Sequence, residues 1–318
     1  MGRVIKLFLY INSMEDKKMI SKIKENEIYC MDNLELLKKM KSNSVDLIYC
    51  DILYNTGKKF KDYDDRLGTP QQAIEWYKPR LTEMKRVLKD TGNVVLHCDY
   101  HINSYIRVAM DEIFGIKNFR NEIVWKRSND TGSSKAKGNK LPVCSDTLVW
   151  YSATDKYTFI MPTIPYDSKL MNRFKYDDND GKGKYYWADL RTYSEKRLNE
   201  LRDNNELKVR SSGKYSYKRY LNTANTNKAL SNIWDDINRL SSNSSESCDY
   251  FSQKPKALLQ RITNMLSNEG DVVADFFCGS GTSLVVAKEL GRNYIGCDIN
   301  PRAIEITNKR LNDIKIGG

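Results

Sequence analysis

A chain of 318 residues with 52 Lys and Arg against 41 Asp and Glu carries a formal net charge of +11. That balance favours a polyanionic partner, although a lysine-rich composition alone also produces it. Hydrophobic residues at 40% and charged residues at 29% exclude a disordered chain, while seven cysteines without a C-x-x-C pair give no disulfide framework and fit a reducing, cytoplasmic setting.

Residues 1–25 read as a loosely ordered N-terminal arm. Its apolar run, Val4 to Ile11, is broken by Lys6 and followed by a charged stretch, so neither a signal peptide nor a membrane span is expected; Met14 and Met19 are alternative starts. Apolar runs then predict strands at Glu27–Cys30, Val45–Cys50, Asn93–His97 and Leu148–Ser152. Helical spacing predicts Leu34–Met40 and a helix within Trp76–Leu88, where Leu81, Met84 and Leu88 share a face. Asp51 and Tyr54 follow the second strand directly, at the carboxyl end where open α/β sheets bind ligands. His97 and His101 lie four apart at a strand end rather than on a helix, so they do not converge and no metal is expected. His97 and Asp99 are expected to line a pocket floor or to satisfy each other.

Lys126–Lys140 lacks large apolar residues and reads as a mobile basic loop, either a lid over nucleic acid or a solvated linker. From about 155 to 245 the alternation of strand and helix breaks down. Within it, Asn204–Tyr220 interleaves Lys and Arg with Tyr around a Ser-Gly turn, a hairpin suited to phosphate contacts and stacking or an ordinary exposed one. Lys254–Leu266 is a predicted helix with Pro255 in its first turn, with Leu258, Leu259, Ile262 and Leu266 inward and Gly270 as its stop.

The most informative stretch is Asp271–Asn300. Val272–Phe277 predicts a buried strand, Gly279-Ser280-Gly281-Thr282 a tight turn, and Ser283–Leu290 a helix that Gly291 ends. Tyr294–Cys297 predicts the next strand, closed by Asp298, and the last helix runs from Asn300-Pro301 to about Asn312. A strand, a glycine turn at a helix N-terminus and an acid ending the next strand describe a nucleoside-binding βαβ unit. The dinucleotide fingerprint requires a third glycine where Leu284 stands, so a pyrophosphate cofactor and an NAD-dependent oxidoreductase are disfavoured. S-adenosylmethionine, a nucleoside without phosphates, fits better.

Asp275-Phe276-Phe277-Cys278-Gly279-Ser280-Gly281-Thr282 resembles motif I of the amino-methyltransferases of DNA, close to D-x-F-x-G-S-G-T. Asp51-Ile52-Leu53-Tyr54-Asn55 resembles their catalytic motif, usually D-P-P-Y-N, with Ile52 and Leu53 in place of two prolines. The catalytic motif preceding the cofactor motif is the order of the β class. The resemblance implies an α/β fold: a Rossmann-like methyltransferase sheet with helices on both faces, a circularly permuted motif order and an inserted target-recognition region. The division it implies is a 1–25 arm, a 26–153 catalytic half, a 154–245 recognition insert and a 246–318 cofactor half.

It further implies methyl transfer to adenine N6 of a base flipped out of double-stranded DNA and stacked on Tyr54. The Asp51 carboxylate and the Ile52 carbonyl would hold the two N–H groups of the amino group. Phe276 to Thr282, comprising Phe276, Phe277, Cys278, Gly279, Ser280, Gly281 and Thr282, would surround the methionine part of the cofactor, and Asp298 would bind its ribose. Lys254 is a candidate for the cofactor's carboxylate or a surface salt bridge, and Asp32 for its adenine amino group or a helix cap. A restriction subunit and a homodimer are further implied partners. Cytosine N4, structured RNA, and a DNA-binding pseudo-methyltransferase disabled at Ile52-Leu53 stay open as alternatives.

Overall fold

In the computed structural model the apolar runs pair into one large sheet. Residues 22–128, 139, 141–165, 171–222, 227–241 and 243–314 are described. Nearly all of the expected arm at 1–25 and most of the basic loop at Lys126–Lys140 lie outside them.

The first half supplies β1 (Glu27–Cys30), α1 (Asn33–Lys39), β2 (Val45–Asp51), α2 (Pro70–Val87), β3 (Leu88–Cys98), α3 (Asn103–Phe114), β4 (Phe119–Lys126) and β5 (Ser145–Ser152). There follow β6 (Thr163–Pro165), β7 (Tyr185–Asp189), α4 (Glu195–Asp203), β8 (Leu207–Val209), β9 (Tyr215–Tyr220), β10 (Asn227–Ala229) and β11 (Ile233–Trp234). The chain closes with α5 (Lys256–Leu266), β12 (Val272–Asp275), α6 (Thr282–Glu289), β13 (Asn293–Asp298) and α7 (Pro301–Asn312).

Eight strands form the main sheet in the order β1-β13-β12-β2-β3-β5-β4-β11. From β1 to β3 neighbours are parallel; β5 runs antiparallel to both β3 and β4, and β11 parallel to β4. The permutation is visible in this order, because β12, late in the chain, lies beside β2 at the centre.

Alternation along the strands sorts side chains to two faces. Val94, Leu96, Ala274, Phe276, Ile295 and Cys297 pack with Leu36, Leu37, Tyr77, Leu81 and Ile106 of α1, α2 and α3. A register shift between Val45 and Leu47 brings Ile48 and Cys50 onto that same face. On the other face a Cβ at Gly296 would lie 2.3 Å from Leu284 Cδ1, so α6 rests directly on β13. Asn93 donates there to the Leu266 carbonyl at the end of α5, at 3.2 Å. Helices on both faces are thus borne out.

Several boundaries differ from the sequence reading, each for a local reason. β12 stops at Asp275 rather than Phe277 because the Asp275 carboxylate accepts the Phe277 N–H at 3.0 Å and turns the chain. α2 starts at Pro70, where Thr69 and Gln72 form a capping box. α5 begins after Pro255, which caps it in extended geometry, rather than at Lys254, and it stops at Leu266 as expected, without Gly270 being needed to end it. The Ser267 N–H and hydroxyl both donate to the Thr263 carbonyl, at 3.0 and 2.7 Å, and so end the helix.

A second compact unit spans Met161–Ser231. It holds the antiparallel sheet β7-β9-β8, the pair β6/β10 and a small core of Phe174, Tyr186 and Ala188. The expected hairpin is β8/β9, with Gly213 in its turn at a φ of 78°. The unit is narrower than 154–245 because both flanks bond to the main sheet's unit. Thr158 and Ile160 donate to the carbonyls of Thr91 and Met265, and β11 pairs with β4. Among the described residues no helix is long and apolar enough to cross a membrane.

Candidate active site

The sheet's connections diverge between β12 and β2. Where they part, a cavity of about 300 Å³ opens at the carboxyl ends of the strands. Asp51 ends β2, Asp275 ends β12, Asp298 ends β13 and Asp32 follows β1, and all four line the cavity.

The loop after β2 is anchored residue by residue. The Ile52 N–H donates to the His97 carbonyl at 3.1 Å, so one of the two donors that prolines would have removed is satisfied. Tyr77 donates to the Leu53 carbonyl at 2.7 Å. The buried Asp65 carboxylate accepts the N–H groups of Asn55 and Thr56 at 3.1 and 2.9 Å. These contacts supply stiffness that the missing prolines would otherwise provide.

Both Asp51 oxygens are engaged. Oδ1 accepts the Tyr54 hydroxyl at 2.6 Å, and Oδ2 pairs with the Lys254 ammonium. Burial, and then the Asp51 charge, push the Tyr54 phenol well up, so it remains a donor. Lys254 therefore sits on Asp51 at the cavity wall.

Behind Asp51 lies a polar set of which sequence reading singled out His97 but not its partners Tyr49 and Asp146. His97, fully buried, has one ring nitrogen 2.9 Å from the Tyr49 hydroxyl and the other 3.3 Å from the Asp146 carboxylate. Its Nδ1 is 4.0 Å from Asp51 Oδ1. Burial would raise the Asp146 carboxyl, but the hydrogen bond and charge of His97, with Lys254 and Arg127, bring it below its ordinary value. The expected pairing of His97 with Asp99 is corrected: Asp99 bonds to His101 instead, at 2.9 Å, because it starts the turn into α3.

On the opposite wall the glycine turn is held by its neighbours. Asp298 accepts the N–H groups of Gly279 and Asn300 at 2.8 and 2.9 Å, and burial raises its carboxyl. Gly281, at a φ of 71°, does not line the cavity; a Cβ there would lie 2.2 Å from Thr307 Cγ2, so its glycine serves packing against α7. Phe276, almost wholly buried, borders the cavity together with Phe277, Cys278, Gly279, Ser280 and Thr282. Asp32 is the helix cap that one of its two readings expected. It caps α1 through the Leu34 N–H at 2.9 Å, pairs with the buried Arg80 at 2.7 Å, and still faces the cavity.

Burial pushes the Asp275 carboxyl up to about 7, against the opposing hydrogen bonds from Ser283 and the Phe277 N–H. The folded protein keeps this proton where the unfolded chain, at 3.8, has lost it. Its contribution to stability is full below the unfolded value and is lost as pH rises to about 7, then level. At ~1.4 kcal/mol per unit the loss is on the order of 4 kcal/mol. Calorimetry of the ligand-free protein is expected to show wild type losing about 2 kcal/mol of stability relative to Asp275→Asn between pH 5 and 7, about half of the whole loss. A constant difference across that window would remove Asp275 as its source.

Among the described residues lining the cavity, Asp32, Asp51, Asp62, Asp64, Asp275 and Asp298 face one cation, Lys254. Asp32, Asp51, Asp62 and Asp64 are paired with Arg80, Lys254, Arg302 and Arg66, and Asp275 keeps its proton up to about 7, so the lining is rich in hydrogen-bond acceptors rather than strongly charged. Aromatic walls come from Trp76, Tyr63 and Tyr250, none of them foreseen. The one local signal was Tyr250, four residues before Lys254.

A permuted Rossmann-like sheet whose crevice suits a nucleoside beside a loop of hydrogen-bond acceptors fits a group-transfer enzyme. A model of the N6_N4_Mtase family, described as DNA methylase, matches residues 45–309. The type II methyltransferase M.HpaI of Haemophilus parainfluenzae is 29% identical over 90% of this chain and 74% of its own length. The DNA adenine methyltransferase YhdJ of Escherichia coli K12 is also 29% identical, over 88% of this chain and 80% of its own. In structure, the cytosine-N4-specific PvuII DNA methyltransferase matches with a TM-score of 0.57 at 16% identity, covering 92% of this chain and 89% of that one. The M1.HpyAVI–SAM complex matches at 0.52 and 19%, covering 90% and 98%. The chain belongs to the N6-adenine/N4-cytosine DNA methylase family, and it is a site-specific DNA methyltransferase.

Proposed function

We propose that the protein transfers a methyl group from S-adenosylmethionine to N6 of adenine in duplex DNA. The observation that carries this reading is the meeting of the Asp51–Tyr54 loop and the glycine turn across one acid-lined cavity. The donor set fits the cofactor. Carboxylates at Asp298 and Asp32 suit ribose hydroxyls and an adenine amino group. When bound, S-adenosylmethionine supplies an electrophilic methyl group on a cationic sulfur.

The chain's own work falls on Asp51, Ile52 and Tyr54. An exocyclic amino group is a poor nucleophile because its lone pair is delocalised into the ring. Acceptance of its two N–H groups by the Asp51 carboxylate and the Ile52 carbonyl favours a pyramidal nitrogen and frees that pair. Asp51 also takes the proton released on transfer. Tyr54 holds Asp51 by its hydroxyl and offers its ring to the base. Adenine is favoured over cytosine because Asp51 is an acid, where the resembling N4 enzymes often carry serine. The 161–231 unit, with its basic and tyrosine-rich hairpin, is assigned to target recognition, and a restriction partner and a homodimer belong to the same reading.

Purified protein incubated with labelled S-adenosylmethionine and genomic DNA is expected to yield N6-methyladenine on nucleoside mass spectrometry. N4-methylcytosine would change the base and keep the reaction. Cofactor binding with no methylated nucleoside would identify a pseudo-enzyme.

A further inference from the structure

Directly after the catalytic loop, residues 57–66 fold back on themselves. Lys59 and Asp64 form an antiparallel bridge, and the Phe60 N–H donates to the Tyr63 carbonyl at 2.9 Å. Lys58, Lys59 and Lys61 on this turn are exposed. The Phe60 ring lies 5.0 Å from that of Tyr63, which lines the cavity, and stacks at 4.8 Å and 25° on Phe251. Phe251 sits between two cavity-lining residues, Tyr250 and Ser252, yet its own side chain is 64% exposed. Three rings thus run in contact from the cavity wall to the surface.

This row is held from beneath. The Phe251 N–H donates to the buried Asp62 carboxylate at 3.2 Å, and the same carboxylate pairs with Arg302. The Asp62 carbonyl accepts Asn300 Nδ2 at 2.7 Å, tying the turn to the start of α7. An exposed ring by itself is ordinary; this one continues a stack that starts at the cavity wall, and it is flanked by exposed lysines. A stacking face beside cations at the mouth of a cavity suits bases joined by a polyanionic backbone.

We infer that Phe251, backed by Phe60, is a stacking wedge for duplex DNA, resting against the bases left behind when the target nucleotide turns into the cavity. Lys58, Lys59 and Lys61 take the flanking phosphates. Extruding a base forfeits its stacking, and an aromatic ring at the vacated step replaces part of it. The inference rests on the DNA methylation proposed above.

The test uses the full chain and two duplexes carrying the modified site mapped from the genomic reaction. One is fully paired; the other has an abasic position opposite the target, which lowers the cost of extrusion. Phe251→Ala is expected to reduce kcat/KM on the paired duplex about tenfold, in line with base–aromatic stacking, and to lose much less on the abasic one. Phe251→Trp is expected to retain activity on both, which separates stacking from misfolding. Equal loss on the two duplexes, or no loss on either, overturns the wedge while leaving the methylation reading intact. Absence of methylation by wild type on both would sink that reading and the wedge with it.

Discussion

Asp51→Asn is expected to lower the single-turnover rate of methyl transfer by roughly 10³-fold, with cofactor and DNA binding near those of wild type and a lowered melting temperature, because Lys254 loses the charge it pairs with. The substitution keeps the side chain's shape and one acceptor oxygen. It removes the charge, replaces the other oxygen with an N–H₂ donor, and abolishes the base that takes the proton. A donor facing the amino group repels the hydrogens that the carboxylate would accept. The loop itself should persist, because it is held elsewhere: Ile52 by His97, Leu53 by Tyr77, and Asn55 and Thr56 by Asp65. The loss should therefore fall on the chemical step alone. Rapid-quench measurement at saturating cofactor and DNA checks this; a rate within a few-fold of wild type would remove Asp51 from the reaction.

Much of the main sheet was legible because its signals are local. The strand-turn-helix at Val272–Glu289 could be read from a β-branched run followed by Gly-Ser-Gly-Thr, and the acids at Asp51 and Asp298 from their places at strand ends. What escaped reading is held together by residues distant in sequence. The Asp146–His97 contact spans 49 positions and the Asp32–Arg80 pair 48, and neither has a periodicity or spacing to announce it. Gly281 shows a different limit. Its motif position suggested cofactor contact, whereas its φ and the nearness of Thr307 explain the glycine by packing alone. The edge of the second unit was illegible for another reason. β11 is only two residues long, Ile233–Trp234, too short to stand out as a strand although it joins the main sheet.

Lys254 is where the structure changes the expectation most, and Lys254→Met is expected to reduce kcat by about 10²-fold while leaving cofactor affinity within a few-fold of wild type. Sequence reading offered this lysine to the cofactor's carboxylate or to a surface salt bridge, and the first would make its loss a binding defect. In the folded chain its ammonium contacts the Asp51 carboxylate and the Ser252 carbonyl, 5.7 Å from the centre of the Tyr54 ring. The side chains of Lys254 and Asp51 are only 13% and 17% exposed, so the pair is shielded from bulk water. Removing one partner of such a pair strands the other charge, at a cost of about 3–5 kcal/mol when burial is complete and less here. Asp51 would then turn toward the remaining donors, Tyr54 and water, and lose the direction in which it must accept the amino group. Methionine preserves the length of the stem, so packing against Tyr54 changes little. Calorimetric titration of the cofactor, set beside single-turnover rates, separates the two roles. A large fall in cofactor affinity with the transfer rate preserved would return Lys254 to the carboxylate; the reverse pattern places it with the catalytic acid.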